Sequence, residues 1–295
     1  MTAVLPDLAH PQPDTAQLRE IALRVREQVL AVGASPVGTH IGSSLSATDI
    51  LVALYFAVLR VHPDDPHWTD RDYFILSKGH ASAALYATLA ERGFFPASEL
   101  ATYGTAAGRL FAHPTPNIPG VEFATGSLGH GLSLGVGLAL GAQRRELPNR
   151  VFVVMGDGEL QEGSVWEAAM SASHYGLSNL TAIVDRNGLQ ISGGTERRMA
   201  LEPLAERWRS FGWQVRDVDG HDMEQLTGVL GEVPADPDRP TMVLAQTVKG
   251  RGVGFLENRK HSHYAVMSEQ IHARALRALR ASAAGQEDVT QEERP

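Results

Sequence analysis

Asp157 stands in a Gly-Asp-Gly turn and Asn187 in an Asp-Arg-Asn-Gly turn, 30 positions apart, each directly after a short apolar run: Arg150–Met155 (RVFVVM) and Leu180–Val184 (LTAIV). Both runs are β-branched and read as buried strands with room for a helix between them. A βαβ unit sets its strands parallel, so both turns share the edge of the sheet where α/β folds bind ligands. A carboxylate and an amide carbonyl brought together there are hard oxygen ligands suited to magnesium or calcium. The intervening helix is expected to aim its N-terminal amides at the same point, so that an anion such as a diphosphate fits beside the cation.

The rest of the chain must supply the scaffold. Asp14 can cap a helix carrying Leu18, Ile21, Val25 and Val29 at helical spacing, stopped by Gly33–Pro36. Ser46-x-x-Asp49 reads as a capping box ahead of ILVALYFAVL, a helix apolar nearly all round and hence buried. Asp72–Leu76 is a strand, and Ser77-Lys78-Gly79-His80 leads into a helix over Ala81–Arg92 closed by Gly93. Residues 104–126 form a long Gly-, Pro- and Thr-rich loop. Gly131, Gly135, Gly137 and Gly141 then punctuate a helix whose small face predicts tight helix packing. Helices over 203–211 and about 224–230 alternate with strands over 214–218 and 241–246. This alternation predicts an α/β fold, a mainly parallel sheet with helices on both faces. Residues 267–284 have helical periodicity, and 285–295 read as a disordered polar tail.

Composition narrows the function. A chain of 295 residues, 43% hydrophobic and 20% charged, permits one large α/β domain. A net charge of −8 without a long basic run lacks the footprint of a nucleic-acid binder. No cysteine is present, which excludes disulfides and thiolate chemistry and agrees with a reducing compartment, the cytoplasm by default. The longest apolar run, Ile50–Leu59, is too short to span a membrane, and the first residues carry no leader pattern, so neither membrane nor export is expected.

Five histidines lie in turns or loops that can reach the carboxyl edge of the sheet: His40, His80, His113, His130 and His263. Topology alone puts His80 at that edge, whereas periodicity leaves His40, His113 and His263 open between structural and functional readings.

The string GDGELQEG…NLTAIVDRNGLQISG closely resembles transketolases, which use thiamine diphosphate, and similarity runs from about residue 15 to 265. It covers the first of that family's three domains, so residues 1–265 are expected to form the thiamine-diphosphate-binding domain, followed by a C-terminal helix over 266–284. The resemblance implies magnesium, with calcium or manganese as substitutes, on Asp157, Asn187 and the backbone carbonyl of Leu189. It implies cofactor contacts from His80, Gly126 and Leu128 (in ATGSLGHG), Gly158, Glu162, Asn187 and His263, and catalytic roles for His40, His80 (in SKGH), His113 (in FAHP) and His263. Three departures from the family pattern are Ser262 before the late histidine, Ala112 for a usual glycine and His130 for a frequent glutamine. His261 competes with His263 for the late position, and Lys78 is expected to be structural.

With no pyrimidine-binding domain present, the chain resembles the N-terminal subunit of a split transketolase, acting on sugar phosphates in a heterotetramer with a C-terminal partner that supplies the activating glutamate. Transfer of a ketol unit to a carrier protein, the α subunit of a 2-oxo-acid dehydrogenase and a non-catalytic binding subunit remain alternatives.

Overall fold

Strands β1 (Tyr73–Leu76), β2 (Val151–Gly156), β3 (Leu180–Arg186), β6 (Gln214–Asp219) and β7 (Thr241–Gln246) form one parallel sheet in the order β1-β2-β3-β7-β6 in a computed structural model describing residues 13–285. Successive strand side chains point to opposite faces, and the buried residues divide accordingly. Phe74, Leu76, Phe152, Val154, Ile183 and Val243 enter one core. Ile75, Val151, Val153, Met155, Ala182, Val184 and Leu244 enter the other. The parallel sheet covered on both faces is as expected.

The first face is covered by α1 (Thr15–Gly33), α2 (Ile41–Ala53), α3 (Ser82–Arg92), α8 (Met223–Gly231) and α9 (Glu269–Ala283). The second is covered by α4 (Gly131–Arg144), α5 (Gly163–His174) and α7 (Leu204–Ser210). A short antiparallel pair, β4 (Leu189–Gln190) and β5 (Gly193–Gly194), and the turn-long α6 (Thr195–Arg198) lie after β3.

Asp14 caps α1 in a reciprocal capping box with Gln17. The second expected box is corrected: α2 begins at Ile41, so Ser46 and Asp49 lie inside it. Both are buried and serve distant partners, Ser46 Oγ donating to Asp185 Oδ2 at 2.6 Å and Asp49 accepting from Arg26 Nη1 at 2.9 Å. With its wide final turn α2 extends to Val58, 18 residues of mean hydropathy 1.6. It is 83% buried within the chain, as a core helix is.

The glycine face of α4 is half as expected. A Cβ at Gly135 would stand 2.6 Å from Val153 and one at Gly131 2.3 Å from Ser77, so the close approach is to a strand and a turn, while Gly137 and Gly141 face open space. The C-terminal helix is α9, capped by Ser268. The expected tail, apart from Gly285, lies outside the described residues.

Candidate functional site

The β2–β3 register pairs Gly156 with Asp185, which delivers Asp157 and Asn187 to one edge. Asp157 is buried. Its Oδ1 accepts from Gly158 N–H at 2.8 Å, and its Oδ2 accepts from Gly188 N–H at 2.6 Å and Arg186 Nη1 at 3.0 Å. Asn187 Oδ1 accepts from Leu189 N–H at 3.1 Å. Burial and then the neighbouring Asp185 carboxylate push the Asp157 carboxyl above its ordinary range, against the pull of Gly188 and Arg186. Asp185 is itself pushed up by burial, but the Lys78 ammonium beside it more than reverses this and holds it low. The expected structural role of Lys78 is thus that of a buried counter-ion.

Among the described residues no three His, Cys, Asp or Glu groups gather as a self-sufficient metal cage. Asp157, Asn187 and the Leu189 carbonyl are an all-oxygen set that suits a hard cation completed by ligand oxygens, and a cation there would relieve the crowding of Asp157 against Asp185. The expected amide funnel is modified. A 3₁₀ turn, Gly158–Gln161, comes first, α5 starts only at Gly163, and the Gly158 amide turns back to Asp157.

Gly126, with φ 147°, packs on His113, since a Cβ there would lie 2.8 Å from the imidazole Cδ2. A Cβ at Gly158 would meet Gln190 at 2.9 Å. Leu128 is half-buried, and the exposed Glu162 sits at the N-cap of α5 without a side-chain capping bond. Three buried polar atoms around these turns, His40 Nδ1, Thr125 Oγ1 and Gln190 Oε1, have no hydrogen-bond partner among the described residues, as expected of a surface that awaits a polar ligand.

Four histidines converge. The His40 ring centroid lies 5.3 Å from that of His80, 6.1 Å from His113 and 5.3 Å from His263, and His80 lies 5.7 Å from His263. Their meeting is built by backbone. Thr39 and Ala265 form an antiparallel bridge with both bonds at 3.0 Å, and Gly250 N–H donates to Gly42 O at 3.0 Å, tying the segment after β7 to α2. His261 is exposed and makes no ring contact with the cluster, so the structure brings His263, not His261, to the others. His130 is also exposed, and its ring bonds to Leu128 O at 3.1 Å.

Burial, His113 and Lys249 lower His40 to about 4, and burial and Lys249 lower His263 to about 4. Burial and Lys78 take His80 well below its ordinary value. These three imidazoles are therefore neutral near pH 7, able to donate and to accept.

Three further residues escaped the reading of the sequence. Lys249, in the Lys-Gly-Arg-Gly turn after β7, is buried and donates to His263 Nδ1 at 3.2 Å and Leu189 O at 3.4 Å. Burial and Lys78 bring it down to about 8. Arg186 clamps Asp157. Glu159 is buried under the Gly-Asp-Gly turn, where burial raises its carboxyl against bonds from Ser77, Gly129 and Gly156. Position offered a signal for each, since all three stand at or just past the carboxyl end of a strand.

Comparison with known proteins agrees with this geometry. The family profile described as transketolase, thiamine diphosphate binding domain, matches residues 28–284. One of the named subunits of the apulose-4-phosphate transketolase of Phocaeicola vulgatus is 43% identical over 240 residues, covering 81% of this chain and 85% of that one. The 6-deoxy-6-sulfo-D-fructose transketolase subunit SqwG of a Clostridium species is 40% identical over 249 residues, covering 84% and 90%. Among solved structures, the transketolase of Leishmania mexicana superposes with a TM-score of 0.83 at 28% identity, over 94% of this chain and 42% of that one. This chain thus spans about two fifths of that solved transketolase's length but most of the length of the two subunits. From its sequence, its sheet and the convergence of its turns, the chain belongs to the transketolase family and carries that family's thiamine-diphosphate-binding domain.

Proposed function

We propose that this chain is the cofactor-binding subunit of a split transketolase, which moves a two-carbon ketol unit from a ketose phosphate to an aldehyde acceptor together with a second chain bearing the pyrimidine-binding domain. The observation that carries the reading is the convergence of four imidazoles, with ring centroids at most 6.1 Å from that of His40, on the side of the sheet that holds Asp157 and Asn187. Two similar proteins are named as transketolase subunits, and this chain covers 85% and 90% of their lengths.

Asp157, Asn187 and the Leu189 carbonyl would hold magnesium, and Gly126, Leu128 and Gly158 would line the cofactor. When bound, thiamine diphosphate supplies the nucleophilic carbon that takes up the ketol unit. His40 and His113 orient the sugar hydroxyls, and His80, whose Nε2 lies 3.1 Å from Ser43 Oγ, meets both sugar and diphosphate. His263, which accepts from Lys249 at Nδ1, keeps its proton on Nε2 and so presents a donor for proton transfer. Glu162 extends a proton network towards the partner's activating glutamate, in an assembly of two copies of each subunit.

Asp157→Ala and Asn187→Ala should abolish magnesium-dependent thiamine diphosphate binding in calorimetry with the partner present, while the fold persists. Unchanged affinity in both removes the reading. The chain alone should show no turnover, and robust activity free of any partner contradicts the split.

A further inference from the structure

We propose that Glu159 is a positioning residue that fixes the relative placement of the three turns forming the cofactor site, an inference that rests on the functional reading above for what those turns bind. The observation is a single buried carboxylate, 2% exposed, that ties three separate chain segments together. Glu159 Oε1 accepts the hydroxyl hydrogen of Ser77, at the end of β1, and the N–H of Gly129, in the turn before α4, at 2.9 Å. Its Oε2 accepts the N–H of Gly156, at the end of β2, at 3.1 Å. Ser77 Oγ, having given its hydrogen to Glu159, accepts from Gly131 N–H at 3.2 Å and so draws in the first residue of α4.

Each member of this knot lies within three positions of a residue assigned to the cofactor. Ser77 precedes Lys78-Gly79-His80, Gly129 follows Gly126 and Leu128, and Gly156 precedes Asp157 and Gly158. Other links join these turns: Ser77 N–H donates to Val154 O at 2.8 Å, which holds the first turn to β2 but does not reach the turn before α4. Gly129 O accepts from Ser164 Oγ at 3.0 Å, and Gly79 packs on Thr125 and Gly126 by contact. Fixed geometry matters because binding groups misplaced by about 1 Å lose much of their effect.

The chemistry requires a carboxylate and not merely its shape. Two oxygens with four lone-pair directions accept from three donors at once. A glutamine has nearly the same volume, but its amide nitrogen must face an N–H or the serine hydroxyl, leaving a buried donor without an acceptor. Glu159→Gln is therefore isosteric, makes no cavity and removes only the acceptor.

The test uses the full-length chain. Amide hydrogen exchange should show the Gly129 or Gly156 amide that faces the glutamine nitrogen exchanging about tenfold or more faster in Glu159→Gln than in wild type, with the distant β6 and β7 amides unchanged, since it loses its charge-assisted bond. Ser77→Ala, the milder change, should accelerate Gly131, whose acceptor it removes, selectively, and it decides the matter if Glu159→Gln does not fold. Gln161→Ala, on the same turn but bonded outward to Met199 O at 3.0 Å, should leave these amides as they are. With magnesium and the partner chain, the thiamine diphosphate concentration for half-maximal rate should rise about tenfold to a hundredfold in Glu159→Gln. The rate at saturating cofactor should stay close to wild type. Exchange at Gly129 and Gly156 unchanged in a folded Glu159→Gln, uniform acceleration in Ser77→Ala, or equal cofactor affinity in wild type and Glu159→Gln overturns the positioning role. Absence of cofactor binding in the wild type with its partner overturns the functional reading instead, and the exchange result stands apart from it.

Discussion

The ε-ammonium of Lys249 stands 3.2 Å from Nδ1 of His263, so a buried positive charge faces a ring nitrogen that must stay unprotonated to accept from it. Burial is the larger cause of the low His263 value of about 4, and Lys249 the next. Lys249→Met should therefore raise the His263 pKa from about 4 without restoring 6.5. Heteronuclear NMR titration of the imidazoles checks this, and an unmoved His263 contradicts the contact.

Stability should fall in acid through the histidine cluster. His40 and His263 titrate at about 4 in the folded chain and at 6.5 when unfolded, so between those values the unfolded chain binds more protons and falling pH favours it. Their contribution is complete above 6.5 and is lost as pH falls towards 4. The raised carboxyls of Asp157 and Glu159 act in the opposite sense. The informative quantity is therefore the difference between wild type and His40→Asn, which should lose stability less steeply in urea melts between pH 6.5 and 4. Parallel slopes reject the assignment.

Arg26 and Asp49 are both buried, and Asp49 also accepts from His221 Nδ1 at 2.7 Å. Burial pushes the Asp49 carboxyl up, but Arg26 and His221 more than reverse this and hold it at about 2. Asp49→Asn should cost about 3–5 kcal/mol because it leaves the Arg26 charge buried without its counter-ion. His221 Nε2 accepts from Val248 N–H at 2.8 Å, so the same variant should loosen the turn that carries Lys249. Chemical denaturation measures the first effect and hydrogen exchange of residues 247–252 the second. A loss under about 1 kcal/mol is the contrary result.

Gly79 leaves no room for a side chain. A Cβ would lie 2.6 Å from Thr125 Oγ1, 2.7 Å from the Thr125 carbonyl carbon and 2.8 Å from Gly126 N. Gly79→Ala should force these turns apart at a cost of about 1–3 kcal/mol, and should weaken thiamine diphosphate binding more than the loss of stability alone explains. Calorimetry beside thermal melts tests this, and unaltered cofactor affinity is the outcome that counts against it.

His40→Ala and His113→Ala should spare cofactor binding and lower kcat/KM for ketose donors by about a hundredfold, the range of a lost proton-handling or orienting group. A contact made only as the bond breaks lowers kcat with kcat/KM, whereas one made equally before and during that step raises KM alone. Wild-type kcat/KM in both variants for every donor returns these residues to a structural role.

The sequence made the scaffold legible because apolar runs report burial locally. The strands around Asp157 and Asn187, the long loop 104–126 and the capped α1 lie close to where their patterns put them. The failure at Ser46 and Asp49 has a physical cause. Their spacing matches a local cap, yet their partners, Asp185 and Arg26, stand 139 and 23 positions away, where periodicity carries no information. The histidines divide along the same line, since His80 follows a strand directly while His40, His113 and His263 depend on long-range contacts that the family resemblance, not the pattern, anticipated. Lys249 and Glu159 went unread because a lysine or glutamate near a glycine turn is ordinarily solvated, and only the packed chain reveals that both are buried.

The bridge between Thr39 and Ala265 joins residues 226 positions apart. Contacts of such long range pay their loop-closure entropy before they gain anything in return. The histidine cluster is therefore complete only when the segment beyond β7 is docked on α2. A chain cut before residue 263 would keep the Asp157 edge and lack the fourth imidazole of the cluster.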